Sequence, residues 1–289
     1  MTFRRPTEAD APAVVALMAA YDTALGFEPD TELADLLDEW RELDLGRDAW
    51  LWEADGAPIA FGSIRGRGEK WHLDGYVHPE HRGRGLGAEI LRLGEERARE
   101  GGGERVHSGT LHADEPARAL FERSGYRFVR AFLRMSIELV DDVPDPTLGP
   151  GLRLVVPDDD AEVHAVVQES FADHWDHQPR SLEEFLQRHE AVDRSLWRGV
   201  RDGDRLVAVA VNEQRFGGGW VGRLGTLRDW RGRGLASALL QASFAEFRRR
   251  GETFAQLGVD AESPTGAVRV YERAGMRVVW RADVYEKHL

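Results

Sequence analysis

The chain has 289 residues, long for one core and comfortable for two domains of roughly 150 residues each. Its formal net charge of −13 argues against nucleic acid as the main partner, since phosphate binding needs a basic face, and mildly favours a cationic small molecule. The absence of cysteine excludes disulfides, thiolate metal sites and a cysteine nucleophile. With 42% hydrophobic residues and no apolar run near about 18 residues, no membrane span is expected. No secretory leader pattern opens the chain, so a cytoplasmic location is the expectation.

The first half opens with a strand near Phe3 and a helix capped at Thr7, with Glu8 and Asp10 in its first turn. A second helix is expected over residues 31–43, then strands over 49–54, 58–64 and 71–77. The last leads into Arg82-Gly83-Arg84-Gly85-Leu86-Gly87. There a helix begins, with Leu86, Ile90, Leu91 and Leu93 on one face. Gly101-Gly102-Gly103 ends that helix. A strand over 105–111, a helix over 116–123 and an apolar strand over 126–139 complete the half.

The second half repeats this order. A strand over 152–156 precedes helices over 158–171 and 182–190, then strands over 196–200, 205–211 and 220–226. The turn Arg231-Gly232-Arg233-Gly234-Leu235-Ala236 opens a helix that carries Leu235, Leu239, Leu240, Phe244 and Phe247 on one face. A strand over 253–259, a helix over 264–273 and a closing strand from Met276 finish the chain. The turns at 82 and 231 stand 149 positions apart, and Gly125 and Gly275 stand 150 apart. An offset of this size means duplicated domains rather than a solenoid. Between the copies, residues 141–151 hold three prolines and two glycines, a stiff linker. The expected organisation is a domain over 1–140, a linker over 141–151 and a domain over 152–289. Each domain would be α+β, with a mixed, mainly antiparallel sheet flanked by helices.

A strand, a glycine-rich turn and a helix make an anion site. Several backbone N–H groups point outward at the positive end of the helix dipole. Glycines remove the Cβ atoms that would hold a pyrophosphate away, and the arginines add charge at the rim. Glycine-rich turns alone are a weak signal; the motif Arg-x-x-Gly-x-Gly/Ala placed twice between strand and helix is a strong one. On Arg82, Gly85 and Gly87, and on Arg231, Gly234 and Ala236, the chain resembles the GNAT family of acetyl-CoA-dependent N-acetyltransferases. The segment Tyr271-Glu272-Arg273-Ala274-Gly275-Met276 resembles the family's closing motif. The tandem arrangement is similar to the mycothiol synthase-like acetyltransferases of actinobacteria.

That resemblance implies acetyl-CoA as acetyl donor. Its pyrophosphate would lie on Arg231, Gly232, Arg233, Gly234, Leu235 and Ala236, and its pantetheine arm on the strand edge Leu224, Gly225 and Thr226, as a peptide adds to a sheet. A second copy would use Gly75, Tyr76, Val77, Arg82, Gly83, Arg84, Gly85, Leu86 and Gly87. The family often has Asn before the last helix, where Asp114 and Ser263 stand here; Ser263 is the cofactor-binding candidate. Tyr271 is the implied donor to the departing thiolate. Its counterpart in the first half is Phe121, which has no hydroxyl, so that domain is expected to be non-catalytic or to catalyse differently.

The related synthases place a glutamate, as base, where this chain has Trp220, which accepts no proton. Glu213 is the nearest alternative. The segment Phe171-Ala172-Asp173-His174-Trp175-Asp176-His177 offers His174 and His177 as base or acceptor-loop residues, with cation–π packing for an amine. No distant third ligand declares itself there, so no metal is expected. The function expected is transfer of acetyl to a small-molecule amine by the C-terminal domain. The rivals are a silent coenzyme A-binding sensor or scaffold, and a protein N-acetyltransferase.

Overall fold

The computed structural model describes residues 1–29, 31–140, 146–175, 179–263 and 265–289. In chain order the first elements are β1 (Thr2–Arg4), α1 (Ala11–Ala24), α2 (Leu33–Trp40), α3 (Leu45–Asp48), β2 (Ala49–Ala54), β3 (Ala57–Arg67) and β4 (Lys70–Val77). They continue with α4 (Leu86–Glu100), β5 (Arg105–Leu111), α5 (Glu115–Arg123) and β6 (Arg127–Glu138). The repeat then runs β7 (Leu152–Val155), α6 (Asp160–Phe171), α7 (Leu182–Arg188), β8 (Arg198–Asp202), β9 (Arg205–Arg215) and β10 (Gly218–Thr226). It ends with α8 (Leu235–Arg249), β11 (Phe254–Asp260), α9 (Ala267–Arg273) and β12 (Arg277–His288). The expected elements are present. The one-turn α3 and the extension of β9 to Arg215 are additions. The start expected for α9 at 264 lies outside the described residues.

The sequence pattern explains these starts and stops. Thr7 and Asp10 lock the entry to α1, with the Thr7 amide and hydroxyl both donating to the Asp10 carboxylate, at 2.7 and 3.0 Å. Asp159 caps α6 by accepting from the amides of Ala161 and Glu162, and Ser181 with Glu184 forms a capping box on α7.

The chain forms two compact units, and they are not consecutive halves. Unit 1 is Met1–Ala131 together with Arg281–Leu289, and unit 2 is Phe132–Trp280. The pairing of the closing strands decides this. β12 pairs antiparallel with β5, from Ala282↔Leu111 to His288↔Arg105. β6 pairs antiparallel with β11, from Phe254↔Glu138 to Asp260↔Phe132. The division therefore departs from the expected boundaries at 140 and 152. Phe132–Glu138 already belongs to unit 2, and the last strand completes unit 1. Of the expected linker, 141–145 lies outside the described residues.

Unit 1 has the strand order β1-β2-β3-β4-β5-β12 and unit 2 the order β7-β8-β9-β10-β11-β6. Each is antiparallel except for one parallel pair, β4 with β5 and β10 with β11. In unit 1, α1 and α2 bring Val14, Leu17, Leu36 and Trp40 onto Leu51 and Phe61. Ile90 and Leu91 of α4 meet Trp50, Ile64 and Leu73 in a second cluster. Successive residues Trp50 and Leu51 enter different cores because strand side chains alternate. In unit 2, Val163, Val166 and Phe185 pack with Trp197 and the β9 run, while Leu240, Phe244 and Phe247 of α8 pack with Val221, Leu257 and Met135. Residues 206–211 are buried without a break, the pattern of a strand covered on both faces. No described helix is long and apolar enough to cross a membrane.

The last strand holds unit 1 together with more than backbone bonds. Tyr285 is buried and stacks on Phe121, ring centroids 4.9 Å apart, and Lys287 Nζ donates to both Glu95 oxygens at 2.8 Å. Truncation after Trp280 is therefore expected to speed amide hydrogen exchange in β5 and α5 while leaving β8 and β9 protected. Loss of protection in unit 2 instead, measured by mass spectrometry, would contradict this assignment of the closing strand.

Candidate active site

In unit 2 the parallel strands part. β10 pairs with β11 only at Gly219↔Ala255 and Trp220↔Gln256. A bulge then shifts the β9–β10 register between Val221 and Arg223. Past it β11 stays paired with β6 as far as Asp260, so β10 from Val221 to Thr226 presents an unpaired edge towards the gap. One extra residue in one strand bends that strand and breaks its ladder. The extra residue here is Gly222, where a Cβ would stand 3.2 Å from the Val211 carbonyl. Unit 1 parts at the matching place without a bulge. β4 pairs with β5 from Lys70↔Arg105 to Leu73↔Ser108 and no further.

The glycine turns close one end of each gap. Gly83 and Gly85 have φ of +76° and +84°, and Gly232 and Gly234 have +75° and +79°, a region that costs other residues roughly 1–2 kcal/mol. Gly85 and Gly234 are the N-cap residues of α4 and α8. Among the described residues, the backbone N–H groups of 83–88 and 232–237 donate to no protein acceptor. These are the orphan donors of a helix start, aimed where the dipole favours negative charge. Such a turn could hold a pyrophosphate.

The leading arginines do something other than line the rim. Arg231 Nε donates to the Thr226 carbonyl at 3.2 Å and its Nη2 to the Ser170 carbonyl at 3.1 Å, which ties the turn to β10 and α6. Arg82 bonds the buried Asp114 carboxylate at 3.1 Å and lies over the Tyr21 ring. Arg84 and Arg233 remain outside, each donating to the carbonyl four residues before it, Glu80 and Asp229.

A cavity of about 550 Å³ in unit 2 runs from Gly232, Gly234, Leu235 and Ala236 past Leu224, Gly225 and Thr226 to Tyr271. It ends among Phe132, Phe171, His174 and Trp175. Tyr271 is only 8% exposed, and its hydroxyl makes no protein hydrogen bond among the described residues. Burial alone pushes its pKa up to about 12, because the phenolate loses its hydration. The group is a neutral donor in the cavity wall.

Of the other expected residues, His174 lines the cavity and its ring packs on Phe171, centroids 4.5 Å apart. His177 lies outside the described residues. Asp173 holds Arg228 at 2.6 Å rather than facing the cavity. Glu213 is off the cavity wall, opposite Trp220 in the β9–β10 ladder. Ser263 bonds Thr265 at 3.0 Å, and of the two only Thr265 lines the cavity. Three lining residues, Arg223, Asp260 and Arg273, carry charge that sequence reasoning passed over.

Unit 1 has a cavity of about 480 Å³ lined by Gly75, Val77, Arg82, Gly83, Gly85, Leu86 and Gly87. Tyr76 is not on its wall; its ring meets Tyr21 edge-on at 5.5 Å. Phe121 lies where unit 2 has Tyr271, and the Tyr21 hydroxyl bonds Thr110 at 3.2 Å across the gap. The offset of 149 aligns Tyr21 with Ser170 and Tyr76 with Gly225. Comparing the two copies position by position would have exposed Tyr21. Among the described residues no group of three or more His, Asp or Glu could hold a metal ion.

Two repeats of this build, each with parted parallel strands over a glycine turn, match the Acetyltransferase (GNAT) family at residues 14–126 and 161–276. The chain belongs to the GNAT acetyltransferase family. It is an N-acetyltransferase, α+β, built from a tandem of GNAT repeats. A mycothiol acetyltransferase from Thermobispora bispora is 34% identical over 221 residues, 72% of this chain and 72% of the relative. A second, from Nocardiopsis dassonvillei, is 29% identical over 80% of this chain and 78% of its own length. A GCN5-related N-acetyltransferase from Sphaerobacter thermophilus superposes with a TM-score of 0.89 at 36% identity, covering 99% of this chain and 95% of that one. A tandem GNAT protein of the clavulanic acid biosynthesis pathway shares the fold, with a TM-score of 0.77 at 16% identity over 99% of this chain and 98% of that one.

The raised pKa of Tyr271 has a consequence for stability. A folded pKa above the unfolded value favours the protonated fold, so this stabilisation is whole below about pH 10 and fades as pH rises through 12. Tyr271→Phe is expected to flatten the decline of stability between pH 10 and 12, followed by urea unfolding. An unchanged slope would contradict the burial of this hydroxyl.

Proposed function

We propose that unit 2 transfers acetyl from acetyl-CoA to the primary amine of a small molecule. The pyrophosphate lies on the N–H groups of 232–237 and the pantetheine amides pair with the open β10 edge at 221–226. The thioester then lies beside Tyr271. The observation that carries this reading is the unpartnered Tyr271 hydroxyl in the wall of a cavity that begins at the glycine turn. The relatives named mycothiol acetyltransferases support a small-molecule acceptor.

An alkylammonium is almost fully charged at pH 7, and freeing its lone pair costs about 4 kcal/mol. His174, the base candidate on the cavity wall, takes that proton directly or through water. The amine attacks the thioester carbonyl, the C–S bond of the adduct breaks, and the acylated nitrogen sheds its second proton. The Tyr271 hydroxyl hydrogen-bonds the departing thiolate, and that thiolate takes up the shed proton through solvent to leave as the thiol. A phenol with its pKa near 12 stays protonated throughout the working range and serves as a hydrogen-bond donor. The turn of unit 1 has the same free amides, which supports coenzyme A binding there. Phe121 offers no donor, so unit 1 binds without transferring.

Tyr271→Phe is expected to lower kcat about 100-fold or more with acetyl-CoA affinity retained, read from coenzyme A release and calorimetry. Calorimetry of the wild type should count two sites per chain. Tight acetyl-CoA binding without turnover of any amine would replace this reading with that of a sensor. Turnover of peptide N-termini alone would replace it with a protein acetyltransferase.

A further inference from the structure

The acceptor end of the unit 2 cavity carries a cation that nothing in the reaction uses. With Gly222 as the extra residue of the bulge, Trp220, Arg223 and Gly225 share one face of β10, where unbulged alternation would place Gly222 beside Trp220. The contacts agree. Arg223 lies 5.7 Å over the Phe171 ring, and a Cβ on Gly225 would meet Ser170 and Phe171 of the same helix. The bulge therefore turns Arg223 towards α6 and the cavity.

Its guanidinium is held but not neutralised. Nη1 donates to the Gly222 carbonyl at 2.8 Å and Phe171 covers one face. Among the described residues no carboxylate lies in ion-pair contact with it. The aligned residue in unit 1 is Asp74, which is paired with Arg65 at 2.8 Å. At the same position one copy closes its charge internally and the other leaves it open on a cavity wall.

We propose that Arg223 recognises an anionic group, a carboxylate or phosphate, on the acceptor, so that the substrate of unit 2 is an amine bearing a negative charge. The Nε–Nη2 edge of the guanidinium has the spacing for two parallel hydrogen bonds to such a group. Phe171 and the Gly222 carbonyl bias that edge before the acceptor arrives. This rests on the transferase reading of unit 2.

The test compares matched acceptors with acetyl-CoA: amino acids with a free carboxylate, the same amino acids as carboxamides, and aminoalkyl phosphates. The wild type should prefer the acid over its amide by about 10–100-fold in kcat/KM, and the phosphates show which anion fits better. Arg223→Gln should erase the preference through KM with kcat little changed, and Arg223→Lys should restore part of it. Equal use of acid and amide by the wild type, or a preference that survives in Arg223→Gln, would overturn the assignment. Failure of every amine to release coenzyme A would sink the transferase reading itself, which is a distinct result.

Discussion

The parting of two parallel strands is the constraint on which the rest of this protein depends. A sheet with all its amides paired has nothing to offer a ligand. Here β10 leaves β11 after Trp220 while β11 keeps its other partner, β6. The result is a gap between two strand edges that no longer pair, the β11 side backed by its ladder with β6. The glycine turn sits at one end of that gap and can adopt its positive φ only because Gly232 and Gly234 lack Cβ atoms. Edge, free turn amides and a neutral buried phenol then line one cavity.

Duplication shows which parts of this arrangement are tied to the fold and which are free to change. Both copies keep the turn and the parted strands. They differ in the residues at matching positions on and beside the gap: Phe121 against Tyr271, Tyr21 against Ser170, Tyr76 against Gly225, and Asp74 against Arg223. In the proposed reading the backbone features, which recur, serve the donor, and the side chains, which diverge, serve the acceptor and the chemistry. The same division separates a family, which the backbone motif reveals, from a substrate, which it does not.

Much of the fold was legible in the sequence because its punctuation is local. Turn glycines, the cap at Thr7 and apolar periodicity placed nearly every element. The destination of the closing strands was not legible. Residues 126–139 and 276–289 are both long and partly apolar, and each suits either sheet edge by composition. Only long-range contacts such as Tyr285 on Phe121 and Lys287 on Glu95 decide between them. Of the residues that line the cavity, Tyr271 and the turn followed from the motif. Arg223 did not, because a one-residue bulge reverses which side chains face α6 and no local pattern announces it. Arg231 was read as rim charge because its type suits phosphate, yet its side chain serves two carbonyls.

The central claim is that the open β10 edge and the turn at 232–237 hold the acetyl donor. Amide hydrogen exchange of the full chain with and without acetyl-CoA measures it most directly. The account predicts new protection at residues 221–226 and 232–237, with the antiparallel ladders of β8 and β9 unchanged. Saturating acetyl-CoA that leaves those amides exchanging as in the free protein would contradict it.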